Sequence, residues 1–231
     1  MIRTETVSAG RVDGHVAHAP RPLGGVLLLP TISGIDRFVV ERAEQLAGAG
    51  LTTFGWNPFP GEPVPEDLPT ALKRAGRLND GLIDVLSECV DYMVGTLRLE
   101  AVAVLGFCLG GRYALLHAAK DQRLAACVSF YPSIRETAKL NETLDAVALA
   151  AQIACPVHLV YAGNDNVILR PTFVRLREAL EARPAATSVQ VQPGAVHSFM
   201  RPELQSEPAN ASATRLSWPQ AVAFLQACIA R

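Results

Sequence analysis

Short apolar segments alternate with helical patterns along most of the chain, and this alternation constrains the fold most. Residues 26–29 form a continuous apolar run, which is typical of a strand buried on both faces. Apolar residues at helical spacing follow over residues 38–47 and end at Gly48, and residues 51–56 again resemble a strand. Strands that alternate with helices predict a mainly parallel sheet covered by helices on both faces.

The alternation continues to the last residues of the chain. Further strands are predicted over residues 101–105, 125–131, 156–161 and 188–192, and further helices over residues 72–97, 109–119, 142–152, 171–182 and 218–230. Residues 4–19 alternate around Asp13-Gly14 and predict a hairpin. The proline-rich residues 57–69 predict a loop. No repeat or low-complexity linker interrupts the pattern, so we expect residues 1–231 to form one α/β domain.

Composition excludes several classes of partner. The 231 residues are 49% hydrophobic and 19% charged, with a formal net charge of −1 and no block of like charges. These values predict neither a nucleic-acid nor a membrane partner, and no signal peptide is expected over residues 1–10. The five cysteines are odd in number and show no C-x-x-C spacing, which favours reduced thiols and a cytoplasmic location.

The chemistry centres on the segment GFCLGG, residues 106–111, between a predicted strand and a predicted helix. A nucleophile on such a sharp turn needs small residues two positions before and after it, and Gly106 and Gly110 occupy those positions. The N-terminus of the following helix would stabilise both a Cys108 thiolate and a developing oxyanion. We therefore predict Cys108 as the nucleophile and the Leu109 N–H as an oxyanion donor.

Two later strand ends supply the partners that a nucleophilic cysteine needs. Asp165 follows the strand over residues 156–161, and His197 follows the strand over residues 188–192. Taken singly, Asp165 would be explained as a turn residue and His197 as a loop residue. Together they give the order nucleophile, acid, histidine at the carboxyl edge of one sheet. The joint occurrence predicts a Cys108–His197–Asp165 triad.

The chain resembles the dienelactone hydrolase family. The resemblance covers nearly the whole length and includes Asp13-Gly14-His15, GFCLGG at residues 106–111, and His197-Ser198-Phe199 followed by Arg201. It implies the α/β-hydrolase fold and hydrolysis of a small ester or lactone, including lactones that carry a carboxylate, without metal or cofactor. It also implies that the Ile32 N–H is a second oxyanion donor and that Arg201 binds the substrate.

Two departures from the family pattern leave other functions open. Thr31 stands where the family has a glutamate that interacts with the resting cysteine, and Glu66 stands near the position of a second substrate-binding arginine. Arg74 or Arg77, from the same region, are candidates to replace that arginine. Because a changed pocket can serve another role, a non-hydrolytic thiol protein with a redox function and a metabolite-binding protein on the same fold stay as alternatives. The oligomeric state does not follow from the sequence.

Overall fold

The computed structural model describes residues 2–137 and 141–230, and over these ranges eight strands form one sheet. The strands are β1 (Arg3–Ala9), β2 (Val12–His18), β3 (Gly24–Leu29), β4 (Leu51–Trp56), β5 (Val102–Phe107), β6 (Cys127–Phe130), β7 (Val157–Asn164) and β8 (Thr187–Val196). Their spatial order is β1-β2-β4-β3-β5-β6-β7-β8. Strands β3 to β8 run parallel to one another. At one edge of the sheet, β2 pairs antiparallel with β4, and β1 pairs antiparallel with β2. The predicted mainly parallel sheet is confirmed.

Helices cover both faces of this sheet. They are α1 (Arg37–Gly48), α2 (Leu68–Ala75), α3 (Ile83–Gly95), α4 (Leu109–Lys120), α5 (Ala146–Ala150), α6 (Arg170–Glu181) and α7 (Pro208–Ile229), with single 3₁₀ turns at Asp80–Leu82 and Pro202–Leu204. Helices α1 and α7 contribute to one apolar cluster, and α3 to α6 contribute to another. The strands place alternate side chains in the two clusters, as expected for a sheet that is buried on both faces.

No helix in the described ranges combines the length and the apolar character needed to cross a lipid bilayer.

The structure corrects the position of the first turn. The predicted hairpin exists, but Ala9 pairs with Val12, so the turn lies at Gly10 and Arg11. Gly10 has a φ of 64°, a left-handed conformation that glycine adopts without strain. The Asp13-Gly14 pair, which also resembles a turn signal, instead lies within β2.

Three helix predictions also differ from the structure. The single helix predicted over residues 72–97 is two helices, because Asn79 accepts a hydrogen bond from the Gly81 N–H and starts a new turn. The helix predicted over residues 142–152 is only α5, capped by Asp145. Helix α7 begins ten residues before the predicted start at residue 218, because the chain continues helically through Pro219.

A buried ion pair ties the start of α4 to its surroundings. Arg112 Nη1 donates to Asp80 Oδ1 at 2.5 Å, and the two side chains are 3% and 2% exposed. The Leu144 N–H donates to Asp80 Oδ2 at 2.7 Å, and Arg112 Nη2 donates to the Leu144 carbonyl at 2.9 Å. This network joins α4, the first 3₁₀ turn and the segment before α5.

We expect Asp80→Ala to lower the free energy of unfolding by about 3–5 kcal/mol, because it leaves the Arg112 charge buried without a partner. The matched control is Glu88→Ala, which breaks the solvent-exposed Arg11–Glu88 pair and should cost at most about 1 kcal/mol. Urea unfolding curves measure both values. Equal losses in the two variants would contradict the role assigned to the buried pair.

Candidate active site

Cys108 lies at the sharp turn between β5 and α4. Its backbone has a φ of 55° and a ψ of −113°, which is a strained conformation for a residue with a side chain. Three hydrogen bonds hold this conformation. The Cys108 N–H donates to the Phe130 carbonyl at 3.1 Å, while the Cys108 carbonyl accepts from the N–H groups of Arg112 and Ser133 at 3.1 and 2.8 Å.

Two glycines make this turn sterically possible. A Cβ atom on Gly106 would lie 2.0 Å from the Gly110 carbonyl oxygen, and a Cβ on Gly110 would lie 2.2 Å from the Leu29 carbonyl oxygen. Both distances are far inside van der Waals contact with backbone atoms. Any larger side chain at either position would therefore push α4 away from β5 or from β3.

The structure brings the three predicted triad residues together. His197 Nε2 lies 3.0 Å from Cys108 Sγ, and His197 Nδ1 lies 2.9 Å from Asp165 Oδ2. Asp165 follows β7 directly and His197 follows β8 directly, as the sequence predicted. The Asp165 side chain is fully buried, and its Oδ1 also accepts from the N–H groups of Val167 and Ile168 at 2.7 and 3.1 Å. These contacts fix the carboxylate towards the imidazole.

The environment favours a protonated His197. Burial lowers its pKa, but the negative charge of the Cys108 thiolate and the hydrogen bonds to Asp165 and Cys108 raise it, to about 10. Tyr131 packs edge-on against the imidazole, with ring centroids 5.4 Å apart, and is fully buried. A cysteine beside an imidazole that a carboxylate orients is the arrangement by which proteins generally activate a cysteine nucleophile.

The two predicted oxyanion donors line the same cavity as Cys108. Leu109 begins α4 directly after Cys108, and Ile32 lies in the loop after β3. The Gly110 N–H donates to the Pro30 carbonyl at 3.0 Å, which fastens this loop to the start of α4. The backbone N–H groups of Ile32 and Leu109 donate no hydrogen bond to the part of the chain that the structure describes. Both therefore have a free donor beside Cys108.

A cavity of about 580 Å³ lies over Cys108 and His197. Arg201, which is expected from the sequence to bind the substrate, lines this cavity, and its guanidinium has two partners. Nη1 donates to Asp36, and Nε donates to Glu203 at 2.9 Å. Nη2 has no hydrogen-bond partner among the described residues. Arg201 thus keeps one donor nitrogen without a partner among the described residues, while two carboxylates offset its positive charge.

Neither arginine considered as a replacement for the family's second cation lines this cavity. Arg74 donates to the carbonyls of Pro63 and Ser33 at 2.6 and 2.9 Å and stacks on the Phe59 ring. Arg77 is paired with Glu62. Both side chains hold the proline-rich loop in place.

The structure adds two residues that the sequence reasoning missed. Arg135 lines the cavity, and Tyr131 supports His197 from behind. Both follow β6, and the rule that sites gather beyond the carboxyl ends of parallel strands was the available signal. Thr31 also lines the cavity, and its hydroxyl accepts from the Ser33 N–H at 3.2 Å.

No group of three or more histidine, cysteine or acidic side chains in residues 2–137 and 141–230 is arranged to bind a metal ion.

Comparison with known proteins places this fold and site in a family. The sequence matches the dienelactone hydrolase family over residues 12–229. The chain belongs to the dienelactone hydrolase family. It is therefore a dienelactone hydrolase-like enzyme with an α/β-hydrolase fold, and the resemblance seen in the sequence is confirmed.

Individual relatives agree with this assignment. The chain is 34% identical over 183 residues to a Salmonella typhi protein named "Putative carboxymethylenebutenolidase", covering 75% of this chain and 67% of that protein. It is 28% identical over 207 residues to the carboxymethylenebutenolidase of Rhodococcus opacus, covering 87% and 80%. A solved structure from Klebsiella pneumoniae, named "Putative Dienelactone Hydrolase", superposes with a TM-score of 0.81 at 23% identity, covering 97% of this chain and 98% of that one.

We expect Gly110→Ala to prevent folding of a stable enzyme, because the added methyl group would meet the Leu29 backbone. The matched control is Gly48→Ala at the end of α1, where an added Cβ meets nothing within 4 Å. This control should be neutral or up to about 1 kcal/mol more stable. Soluble yield and thermal unfolding measure both variants. A Gly110→Ala enzyme with wild-type stability would show that the contact relaxes.

We expect iodoacetamide to alkylate Cys108 first, because Cys108 lines the cavity and His197 Nε2 lies 3.0 Å from its sulfur. Burial raises the pKa of the Cys89 thiol to about 12 and that of Cys155 to about 11, so these should react slowly. A Cys228→Ser background removes the least buried of the other thiols. Peptide mass spectrometry identifies the site, and labelling of Cys89 or Cys155 ahead of Cys108 would contradict the role assigned to the contact with His197.

Proposed function

We propose that this enzyme hydrolyses a small carboxylic ester or lactone through a covalent acyl intermediate on Cys108. In this proposal Cys108 is the nucleophile, His197 the acid and base, and Asp165 the residue that orients the imidazole. The observation that carries the proposal is the continuous contact from Cys108 Sγ to His197 to Asp165 at 3.0 and 2.9 Å. A buried structural cysteine would have no reason to face such a pair.

The first half of the reaction forms the acyl-enzyme. The Cys108 thiolate attacks the carbonyl carbon, and the carbonyl oxygen takes the negative charge. The N–H groups of Ile32 and Leu109 stabilise that oxyanion, a contribution that commonly amounts to a hundredfold or more in rate per donor. The tetrahedral intermediate then expels the alkoxide, which takes a proton from His197 Nε2. A lactone substrate opens at this step and stays attached through its acyl carbon.

The second half regenerates the thiolate. The now neutral His197 accepts a proton from a water molecule, and the resulting hydroxide attacks the thioester carbon. The intermediate collapses, the carboxylic acid leaves, and Cys108 departs as a thiolate beside the re-formed imidazolium. Asp165 keeps Nδ1 protonated throughout, because its carboxylate is held by two backbone N–H groups and cannot turn away.

Arg201 is the proposed substrate-contacting residue. Its Nη2 can donate a hydrogen bond to a substrate oxygen, while Asp36 and Glu203 hold its other two nitrogens. The contact orients the substrate above Cys108 and depends on direction more than on net charge.

The dependence on a reduced thiol also supports a cytoplasmic location as part of the proposal. The five cysteines are thiols rather than members of disulfides, and thiols persist in this form in a reducing compartment. A thiol-based redox function is the second hypothesis from the sequence. It would need a resolving thiol or an external one, whereas the hydrolase needs only the contacts already present around Cys108.

We expect Cys108→Ala and His197→Ala each to lower kcat for p-nitrophenyl acetate by about a thousandfold or more. The double variant should lose little further, because the members of a triad act as one unit and their effects are not additive. Steady-state kinetics of the four enzymes measure this.

Cys228→Ala is the matched control, since this thiol lies outside the cavity, and it should keep wild-type turnover. Retained activity in Cys108→Ala would remove the nucleophile assignment. Peroxide consumption without ester turnover would favour the redox hypothesis, and strictly additive losses would show that Cys108 and His197 act separately.

A further inference from the structure

Helix α2 directs two leucines to the cavity that contains Cys108. Leu68 and Leu72 both line this cavity, and they are 63% and 40% exposed. Residues four apart on a helix are neighbours on one face, with Cβ atoms about 5–6 Å apart. The two side chains therefore form one continuous apolar surface at the side of the cavity.

This pair does not serve the core of the protein. Neither Leu68 nor Leu72 belongs to an apolar cluster formed by the described residues. The helix is anchored by other residues: Ala71 and Ala75 are buried, and Arg74 stacks on the Phe59 ring with 3.8 Å from guanidinium carbon to ring centroid. Folding thus leaves the leucine pair uncovered beside the reacting thiol.

The charges around the cavity do not favour an anionic ligand. Among the described residues that line it, the His197 imidazole faces Cys108 and Asp165, and the carboxylates of Glu66, Asp67 and Glu203 outnumber the guanidinium groups of Arg135 and Arg201. Arg201 already contacts two carboxylates. A negatively charged substituent of a substrate would therefore meet more repulsion than attraction in this cavity.

We propose that Leu68 and Leu72 form a specificity subsite for an uncharged, apolar substituent of the substrate. The inference rests on the proposed hydrolase function and narrows its substrate class to neutral esters or lactones that carry an alkyl or similar apolar group. With the carbonyl held at Cys108 by Ile32 and Leu109, that group lies along α2. The acidic residues at the cavity then select against substituents that end in a carboxylate.

The test is a series of p-nitrophenyl esters with acetate, butyrate and hexanoate acyl groups. We expect kcat/KM of the wild type to rise about two- to fourfold per added methylene, the factor that burial of one CH₂ supplies. The mono-p-nitrophenyl ester of adipic acid has the same six-carbon length but ends in a carboxylate, and it should react at least about tenfold more slowly than the hexanoate.

The double variant Leu68→Asn/Leu72→Asn should lose the increase from acetate to hexanoate, because the subsite becomes polar. Leu216→Asn is the matched control: Leu216 is 51% exposed on α7 and does not line the cavity, so the hexanoate-to-acetate ratio should stay unchanged. A flat chain-length profile in the wild type, an unchanged profile in the double variant, or faster turnover of the adipate ester would each overturn the proposal.

Two further measurements distinguish the failure of this inference from the failure of the proposed hydrolysis. They also test whether a second copy of the chain covers the leucines. If the wild type turns over none of the esters, the proposed hydrolysis fails. Calorimetric binding of γ-hexanolactone and γ-decalactone to Cys108→Ala then tests the subsite alone, with tighter binding of the longer lactone expected. Sedimentation of wild type and double variant shows whether the leucines hold a second copy of the chain instead, and a dimer lost in the double variant would overturn the subsite.

Discussion

The close approach of three backbone segments at the start of α4 is the constraint on which the site depends. Gly106 touches Gly110, and Gly110 touches Leu29, with no space for a side chain. This contact sets α4 against β5 and β3, so the positive φ of Cys108 can persist and its thiol projects beyond the sheet. It also carries the loop after β3 to the thiol, through the Gly110–Pro30 hydrogen bond. Packing thus positions the proposed nucleophile and the proposed oxyanion donors together.

Two networks of charged side chains surround the cavity and differ in burial. The network of Asp165 and His197 is buried, and it ends on the Cys108 thiol. Because the His197 and Asp165 side chains are buried away from water, their charges interact strongly. The pKa of His197 therefore rises despite burial. The network of Arg201, Asp36 and Glu203 is nearer to solvent and has two carboxylates for one guanidinium. This network can orient a hydrogen bond to the substrate, but it contributes no net positive charge to the cavity.

The parts of this protein that follow from local chemistry could be predicted from the sequence. Strand β4 was predicted to its exact residues, since glycines and prolines bound it, and the turn at Cys108 was visible because glycine spacing reports a steric need. The break between α2 and α3 was not predicted, because it depends on caps that compete with a continuous apolar pattern. The pairing of Arg201 with Asp36 joins residues 165 positions apart, so no local pattern encodes it.

The contacts around Thr31 show what the replacement of the family glutamate changes near Cys108. In the family pattern that acid interacts with the resting thiol and is displaced when substrate binds. Here the Thr31 hydroxyl accepts from the Ser33 N–H, and the nearest acidic side chain along the chain, Asp36, is committed to Arg201 and to capping α1. No carboxylate of this loop is left to compete with His197 for the contact with Cys108. Without a carboxylate from this loop, a substrate has no acid to displace from Cys108 and needs no negative charge to do so. The threonine and the acidic, leucine-lined cavity therefore both agree with the proposed preference for neutral substrates.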